Sequence, residues 1–442
     1  MGLLLLPHKR TIMAKLNILA FGADASGQQL ATAAIQHAID IAAPGDTVVV
    51  PPGRYLTGAL FLKNHLIFEL QTGAVLLGSR ELEDYPLRQT RVAGIDMVWP
   101  TGIINILQCH DVCVCGSGTI DGQGAVWWHK FWGTDENGGM LADYSQRGLR
   151  WVVDYDCQRP RNLVVYRSEQ VEMSGFTSRE SGFWNIHLCY SQHLYLHHLQ
   201  VENSGGPSTD GIDIDSSQQV RVEHCRVSCN DDNICVKAGR GAEAERIGAT
   251  ARDIVIRECE LLHGSGITLG SETSGGIEQV LIENITFSGT GVGFRIKSAR
   301  NRGGFIRHVR VSGLQMTDVH YPFMFQLNWF PAYSYSPITA NESMPAHWQS
   351  LSQSVEGEAG LTQVENITIS TVRSVLSSSE VFSRAFFIEG NSEKPIDNLH
   401  FSNVTLVAQE FGKIAGVNNL RLDNVQISAN QPTQAENDEY AR

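Results

Sequence analysis

A short pattern of alternating apolar residues recurs along the chain, and this repetition limits the possible fold more than any other feature. Successive copies begin at Val171 and Leu194, 23 residues apart, and at Val220 and Ile254, 34 residues apart. Further copies begin at Val280 and Val309, with weaker ones at Val364, Ile396 and Val417. Alternation with a period of two is typical of strands, and repeats of this length are typical of solenoids. We therefore predict an all-β, single-domain parallel β-helix rather than a helical solenoid.

One segment near the start of the repeats predicts a helix. Ser26 is the expected N-cap, with Gln29 three residues later, and the apolar face would be formed by Ala31, Ile35, Ala38, Ile39 and Ala42. A solenoid needs its open ends covered, so we predict that this helix caps the N-terminal end. The predicted β-helix domain spans residues 13–430, with residues 1–12 an extension without a folded role and residues 431–442 a polar tail.

Charge and cysteine content argue against several classes of function. The formal net charge of -13 and the lack of a Lys/Arg run disfavour nucleic-acid binding. The nine cysteines are an odd number without a Cys-x-x-Cys pair, which predicts free thiols in a reducing compartment.

The apolar run at residues 3–6 ends at Pro7 without a small-residue cleavage site, so no signal peptide is expected. No apolar run approaches the ~20 residues of a membrane span. We expect a cytoplasmic monomer that binds neither nucleic acid nor membranes.

Two acidic clusters lie one repeat apart. Residues 208–213 read Ser-Thr-Asp-Gly-Ile-Asp, and residues 230–233 read Asn-Asp-Asp-Asn. Strands stacked in a sheet are ~4.8 Å apart, so Asp210, Asp231 and Asp232 can share one site. Three neighbouring carboxylates are suited to acid and base cleavage of a glycosidic bond.

The backbone at these clusters has to depart from a regular strand. Adjacent strand residues point to opposite faces, so Asp231 and Asp232 can face one site only if the chain bulges or turns there. Asp213 and Asp215 alternate on one face, and we interpret them as turn or ladder residues without a catalytic role. In isolation each acidic cluster would usually be an Asx turn, but the pairing of the two clusters favours the catalytic interpretation.

A pair of cations follows further along the chain. Residues 294–297 read Phe-Arg-Ile-Lys, and Arg295 and Lys297 would project to one face of a strand. In an acidic protein such a pair is suited to holding a substrate carboxylate, with arginine providing a bidentate fork. The alternative interpretation is a salt-bridged surface pair without a function.

Together these segments resemble glycoside hydrolase family 28, the polygalacturonases and their relatives, whose motifs read Asn-Thr-Asp, Asp-Asp, Gly-His-Gly and Arg-Ile-Lys. The resemblance extends from about residue 16 to residue 430. It implies a right-handed parallel β-helix and inverting hydrolysis of galacturonic acid glycosides. It also implies that Asp231 is the general acid and that Asp210 and Asp232 activate water, with ~6.5–9.5 Å between acid and base. The sequence contains no evident metal-ligand spacing, so neither a metal nor a cofactor is expected.

The Gly-His-Gly motif is where this chain departs from the family. Residues 263–271 read His-Gly-Ser-Gly-Ile-Thr-Leu-Gly-Ser, which places Ser265 where the family has histidine and His263 two positions earlier. Either a small backbone shift lets His263 serve, or this branch dispenses with the histidine. We predict that His263 binds substrate together with Arg295 and Lys297. The departure leaves open a rhamnogalacturonan-specific galacturonidase, because relatives that act on that polymer also differ here.

Two long segments interrupt the repeats, at residues 125–160 and 328–362, and both are rich in aromatic residues. Aromatic rings are suited to stacking on sugar faces, although rings that pack only on each other are equally compatible with the pattern. We predict that these segments close a groove into a pocket, giving an exo-acting enzyme on galacturonate-containing, pectin-derived oligosaccharides. A calcium-dependent polysaccharide lyase and a non-catalytic carbohydrate-binding β-helix are the remaining alternatives.

Overall fold

The computed structural model describes residues 13–339, 341, 343–353 and 355–431. The predicted extension at residues 1–12 lies outside the described residues, as do residues 432–442 of the predicted polar tail. Gln431 is described and ends the last strand, Arg421–Gln431.

The chain winds into stacked coils, and the strands of successive coils pair in parallel to form three long sheets. The first sheet contains Lys15–Asn17, Thr47–Val50, Leu66–Leu70, His110–Gly116, Glu169–Ser174, Gln192–His197, Gln218–Glu223, Ala251–Arg257, Ile277–Ser288, Phe305–Thr317, Gln363–Val375, Ile396–Ala415 and Arg421–Gln431. The second sheet contains Ser26–Leu30, Gly53–Thr57, Ala74–Gly78, Thr119–Asp121, Thr177–Arg179, Gln200–Glu202, Arg226–Ser228 and Glu260–Leu261, and continues into the later part of Ile277–Ser288. The third sheet contains Leu60–Phe61, Ile104–Leu107, Leu163–Tyr166, Ile186–Cys189, Ile212–Asp215, Ile234–Lys237, Ile267–Leu269, Val292–Lys297, Tyr321–Gln326 and Arg384–Glu389. This is the predicted right-handed parallel β-helix.

A few elements lie outside the coils. Leu87–Val92 and Ile95–Pro100 form an antiparallel hairpin, and the short strand Val417–Asn418 pairs with the start of Ile396–Ala415. The α-helices are Thr32–Ile41, Ala125–Trp132, Gly139–Gln146, Val153–Asp156, Gly241–Ile247, Pro331–Ser334 and Ala346–Ser352. The 3-10 helices are Ile18–Phe21, Leu82–Asp84 and Gly357–Gly360. Within the described part of the chain, no helix is both long and apolar enough to cross a membrane.

The predicted repeats form an interior column of the first sheet. Val171 pairs with Leu194 and Leu194 with Val220, and the column continues through Ile254, Val280 and Val309. All six side chains are buried. Alternate strand residues face inward, so each coil adds apolar side chains to one continuous core, and each fully buried chain contributes roughly 1.5–3 kcal/mol.

The three weaker copies are placed wrongly by the sequence pattern. The column continues at Ile367 and Leu399, three residues after the predicted Val364 and Ile396. Val417 is also displaced, because it pairs with Ile396. The strands here are long, with 13 residues in Gln363–Val375 and 20 in Ile396–Ala415, so several apolar residues alternate inward in each. Alternation alone does not show which of them continues the column.

The predicted N-terminal helix is present at Thr32–Ile41, with Ile35, Ala38 and Ile39 buried in the core. It packs against Ile18–Phe21 and Leu60–Phe61, in the N-terminal coils that the helix is predicted to cap.

The predicted start of this helix is wrong. Ser26 lies in the strand Ser26–Leu30, which pairs with Gly53–Thr57. The Asp24 carboxylate accepts hydrogen bonds from the Ser26 hydroxyl at 2.7 Å and from the Gln29 amide at 3.1 Å. The polar residues that looked like a helix cap therefore stabilise a turn before a strand.

Candidate active site

The two acidic clusters occupy equivalent turns that lead into neighbouring strands of the third sheet. Asp210 precedes Ile212–Asp215 by two residues, and Asp232 precedes Ile234–Lys237 by two residues. These strands pair in register, and the Gly211 amide donates a hydrogen bond to the Asp232 carbonyl at 2.9 Å. Asp231 and Asp232 lie between strands, and the Asp232 amide donates to the Asp231 carboxylate at 2.9 Å. The predicted departure from a regular strand is therefore confirmed.

The three predicted carboxylates converge. One oxygen each from Asp210, Asp231 and Asp232 can be chosen so that all three lie within 4.8 Å of one another. Asp210 and Asp232 are buried, whereas Asp231 is partly exposed. The nearest oxygens are closer than the ~6.5–9.5 Å expected between the acid and base of an inverting glycosidase. The nearest oxygens lie closer together than the carboxyl groups as a whole, so the expected separation between acid and base stays a prediction.

Asp232 is held in its charged form. Lys297 Nζ lies 2.7 Å from its Oδ2, and the Thr268 hydroxyl donates to its Oδ1 at 2.7 Å. Burial by itself raises the pKa of Asp232, but the positive charges of Lys297, Lys237 and Arg295 outweigh burial and lower the pKa to about 2. Asp232 is therefore ionised across the neutral and mildly acidic range.

The other two carboxylates are biased toward holding a proton. Burial raises the pKa of Asp231, and the negative charge of Asp232 raises it further. Burial and the charge of Asp231 likewise raise the pKa of Asp210. Because these two groups repel each other when both are charged, the cluster can retain one proton beside an ionised Asp232. One acid next to one carboxylate is the combination that glycosidic cleavage requires.

Lys237 is a central residue of the site that the sequence interpretation missed. Its Nζ lies 3.5 Å from Asp210 Oδ2 and 3.3 Å from Glu272 Oε2, and it stands 5.0 Å from the centre of the Trp184 ring. Lys237 is 4% exposed. The sequence does contain one sign of this role: Lys237 ends the apolar strand that follows Asp232, and a lysine on a buried strand needs carboxylate partners.

Asp213 and Asp215 lie on the strand behind the cluster and do not line its cavity. The pKa of Asp213 is raised to about 8, mainly by burial. Asp215 accepts a hydrogen bond from Arg91 at 3.0 Å. That neither should have a catalytic role stays a prediction.

Arg295 and Lys297 face the same side of their strand, as predicted, but they are 5% and 4% exposed and so do not form a surface pair. Arg295 Nη2 donates to Gln326 Oε1 at 3.1 Å, and its Nε is buried without a hydrogen-bond partner in the described structure. Lys297 is already paired with Asp232. An ammonium group has three N–H donors and Lys297 also lines the cavity, so both cations have donor capacity left for a substrate carboxylate.

The structure does not bring the His263 side chain into the site. That side chain is exposed and does not line the cavity, and the His263 carbonyl instead accepts a hydrogen bond from Asn233 Nδ2 at 2.8 Å. Ser265 lines the cavity, and its amide donates to the Asp231 carbonyl at 2.8 Å. Ser265 stands two residues before Ile267, which pairs with Ile234, so it occupies the turn position of Asp232 one coil later.

These residues surround a cavity of about 320 Å³. Its lining comprises Ala93, Arg150, Asp154, Phe183, Trp184, Ser208, Asp210, Asn230, Asp231, Lys237, Ser265, Ser271, Glu272, Arg295, Lys297, Trp329, Phe330 and Tyr333. Both aromatic segments contribute, with Arg150 and Asp154 from one and Trp329, Phe330 and Tyr333 from the other. Trp329 stands over Lys297 with its ring centre 4.6 Å from Nζ.

The two aromatic segments also contact each other. The hydroxyls of Tyr155 and Tyr333 are 3.2 Å apart, and Arg240 donates to Tyr155 at 2.8 Å. The rings of Trp151 and Trp348 pack at 5.5 Å. Some rings of these segments therefore pack on each other and join the two segments, while others line the cavity. That the rings in the cavity stack on sugar faces stays a prediction.

Several known proteins are similar to this chain in sequence. Residues 96–344 match the model of glycosyl hydrolases family 28. A probable polygalacturonase of Vitis vinifera is 31% identical over 71% of this chain and 63% of its own length. An exo-poly-alpha-D-galacturonosidase of Dickeya chrysanthemi is 29% identical over 65% of this chain and 53% of its own length. This chain thus spans less than two thirds of either relative.

Among solved structures, a hyperthermoactive exopolygalacturonase from Thermotoga maritima superposes with a TM-score of 0.74. That match covers 92% of this chain and 91% of the other at 22% sequence identity, so it supports the fold alone. The family match extends over more than half of the sequence and includes the carboxylate turns, the Ser265 turn and the Arg295 strand. The chain therefore belongs to glycosyl hydrolases family 28.

Proposed function

We propose that this protein hydrolyses the α-glycosidic bonds of galacturonic acid in pectin-derived oligosaccharides. The observation that carries the proposal is a cavity lined by Asp210, Asp231 and Arg295, with the buried Asp232 close enough to Asp210 and Asp231 for one oxygen of each carboxylate to lie within 4.8 Å of the others. The carboxylates supply acid and base, and the arginine supplies recognition of an acidic sugar. The relatives named as polygalacturonases support the same substrate class.

In the proposed mechanism Asp231 donates a proton to the glycosidic oxygen, while Asp210 and Asp232 activate the attacking water. Asp231 is suited to the acid role because it lines the cavity, is partly exposed and has a raised pKa. Lys237, 3.5 Å from Asp210, favours the charged form of that carboxylate once the proton resides on Asp231. The family resemblance suggests inversion at the anomeric carbon. Proton NMR of the first-formed product anomer tests this, and initial release of the α-anomer would contradict inversion.

We further propose that the enzyme releases single galacturonate units from a chain end. The wall formed by the two aromatic segments supports this mode, because it closes one side of the groove over the carboxylates. Monomeric galacturonate should be the first product, and polymer viscosity should fall slowly. A rapid loss of viscosity with mixed oligomers at early times would show that the groove is open at both ends.

A galacturonidase specific for rhamnogalacturonan is the second candidate, favoured by Ser265 in the position of the family histidine. Product analysis by mass spectrometry on oligogalacturonate and on rhamnogalacturonan oligomers separates the two. Cleavage of oligogalacturonate alone supports the first proposal, and cleavage of the rhamnose-containing oligomers alone supports the second.

The same assay tests the functions outside hydrolysis. A lyase would generate an unsaturated product with ultraviolet absorbance, and a non-catalytic binding protein would release no product from either oligomer.

We propose a cytoplasmic location, which the nine free cysteines support because seven of them are buried as thiols. Fractionation of the source cells tests the location.

A further inference from the structure

Two histidines and one aspartate meet on the first sheet, far from the carboxylate turns in sequence. His65 Nδ1 lies 3.1 Å from Asp111 Oδ2, and His110 Nδ1 lies 2.9 Å from the same oxygen. The two imidazole rings are 4.5 Å apart and nearly perpendicular. Both rings therefore present the same nitrogen to a single carboxylate.

This cluster differs from the other groups of convergent His, Cys, Asp and Glu side chains in the described residues. In those groups a protein cation is already in contact with the carboxylates: Arg91 reaches Asp215 at 3.0 Å, and Lys297 reaches Asp232 at 2.7 Å. Asp111 makes no ion pair with a lysine or arginine among the residues that the structure describes; its recorded partners are His65 and His110. Its negative charge is therefore available to an external cation.

The donor set and its spacing are suited to a transition metal. Zn²⁺ binds imidazole nitrogen and carboxylate oxygen at about 2.0–2.2 Å, which puts the ligands of a tetrahedral site about 3.3–3.6 Å apart. The nitrogen to oxygen distances of 2.9 and 3.1 Å need to open by only a few tenths of an ångström. The three side chains are 45%, 38% and 42% exposed, so they can make that adjustment and leave a fourth position to water.

The backbone holds the three ligands in place. Leu66 and Val112 pair in register, so His65 and Asp111, which precede them, stack in consecutive coils. The His65 amide donates to the His110 carbonyl at 3.1 Å. His65 and Asp111 also line a surface cavity of about 330 Å³ together with Glu172, which adds negative charge near the cluster. Ligands fixed on paired strands lose little freedom when a metal binds.

We propose that His65, His110 and Asp111 form a binding site for one divalent transition-metal ion, with Zn²⁺ the best match. The ion joins two neighbouring coils through the first sheet, whereas the carboxylate cavity is built on the third sheet and its preceding turns. The site is independent of the proposed hydrolysis. Ca²⁺ and Mg²⁺, which require mostly oxygen ligands, should not compete for it.

Titration calorimetry of the chelator-treated full chain with Zn²⁺ alone tests the proposal. We expect saturable binding of one equivalent, weakened at least about tenfold in His65→Asn and in His110→Ala, since a metal-ligand bond is lost in each. Asparagine suits the positive φ of 57° at His65, so folding should be retained. His193→Asn is the matched control, because His193 is exposed and also has a positive φ, 56°, but lies outside the cluster. It should bind Zn²⁺ as tightly as the unmodified chain.

X-ray absorption of the Zn²⁺ complex should show two imidazole ligands at about 2.0–2.1 Å. A second histidine group, His197, His198 and His224, has ring separations of 5.1 and 5.0 Å and is the competing location. Loss of binding in His198→Asn with retention in His65→Asn would overturn the assignment. Absence of saturable Zn²⁺ binding would show that His65, His110 and Asp111 form only a hydrogen-bonded triad.

Discussion

Replacing Arg295 with lysine tests whether this side chain recognises a carboxylate through its fork or only through its charge. Arg295 is 5% exposed, donates from Nη2 to Gln326, and has a buried Nε with no hydrogen-bond partner in the described structure. A substrate carboxylate in the cavity would accept charge-assisted hydrogen bonds from the planar guanidinium of Arg295. Lysine keeps the positive charge but lacks that planar group of donors.

The expected loss follows from one charge-assisted hydrogen bond. Such a bond contributes about 1.5–3 kcal/mol, and every 1.4 kcal/mol corresponds to tenfold in affinity. The Arg295→Lys variant should therefore bind galacturonate about 10- to 150-fold more weakly. Binding of the galacturonate methyl ester, which has no carboxylate, should change by less than about threefold.

Competitive inhibition by galacturonate and by its methyl ester measures both affinities against a single chromogenic substrate. Arg300→Lys is the matched control: Arg300 is 40% exposed, pairs with Glu393 and does not line the cavity, so neither affinity should change. The melting temperature should report whether the Arg295 variant is folded. Equal losses for the acid and the ester would show that Arg295 supports the cavity structurally and does not read the carboxylate.

Three further predictions concern activity, and a fourth concerns stability. Asp231→Asn should lower kcat by about 10²–10⁴ with little change in melting temperature, because a proton donor is removed; near-normal turnover would exclude Asp231 as the acid. Lys297→Met should move the acid limb of the kcat/KM profile to higher pH, because loss of the cation raises the pKa of Asp232 from about 2, and an unchanged limb would contradict the ion pair's role. Activity should survive treatment with a chelator, whereas inactivation reversed by Ca²⁺ would favour a lyase. Leu196→Ala should cost about 2–5 kcal/mol in urea unfolding, because Leu196 is fully buried, while the exposed Gln192→Ala should change stability by less than about 0.5 kcal/mol.

The lowered pKa of Asp232 also makes the stability of the folded chain depend on pH. Its pKa in the folded chain lies below the ordinary aspartate value, so the ion pair with Lys297 contributes stability above the unfolded pKa of about 3.9. That contribution is lost as the pH falls through about 2.

The fold was predictable because its core repeats. Every coil has to bury the same faces, so alternation at Val171, Leu194 and Val220 identified strands and their stacking without any long-range information. The predicted pairing is wrong where the strands are longer, as at Ile367, because a long strand has several inward-facing apolar residues that could continue the column. It also misplaced the helix start at Ser26, where a local turn around Asp24 uses the same polar residues as a cap.

The candidate site was predictable where short motifs lie on consecutive turns. Asp210 and Asp232 stack because their strands pair in register, which a constant repeat already implied. The partners of these residues were not predictable. Lys237 approaches Asp210, and Lys297 pairs with Asp232, because side-chain direction and burial settle which charges meet.

By itself, the sequence determined the β-helix, the converging carboxylates and the family resemblance, because each depends on local pattern and a regular repeat. Only the tertiary structure decided that the His263 side chain faces solvent while Ser265 lines the cavity. A shift of one residue in a turn is enough to reverse the face to which a side chain points. The tertiary structure also decided that His65 and Asp111, 46 residues apart, stand side by side. Contacts between coils depend on the number of residues in each turn, and turn length is the property that the repeat leaves free.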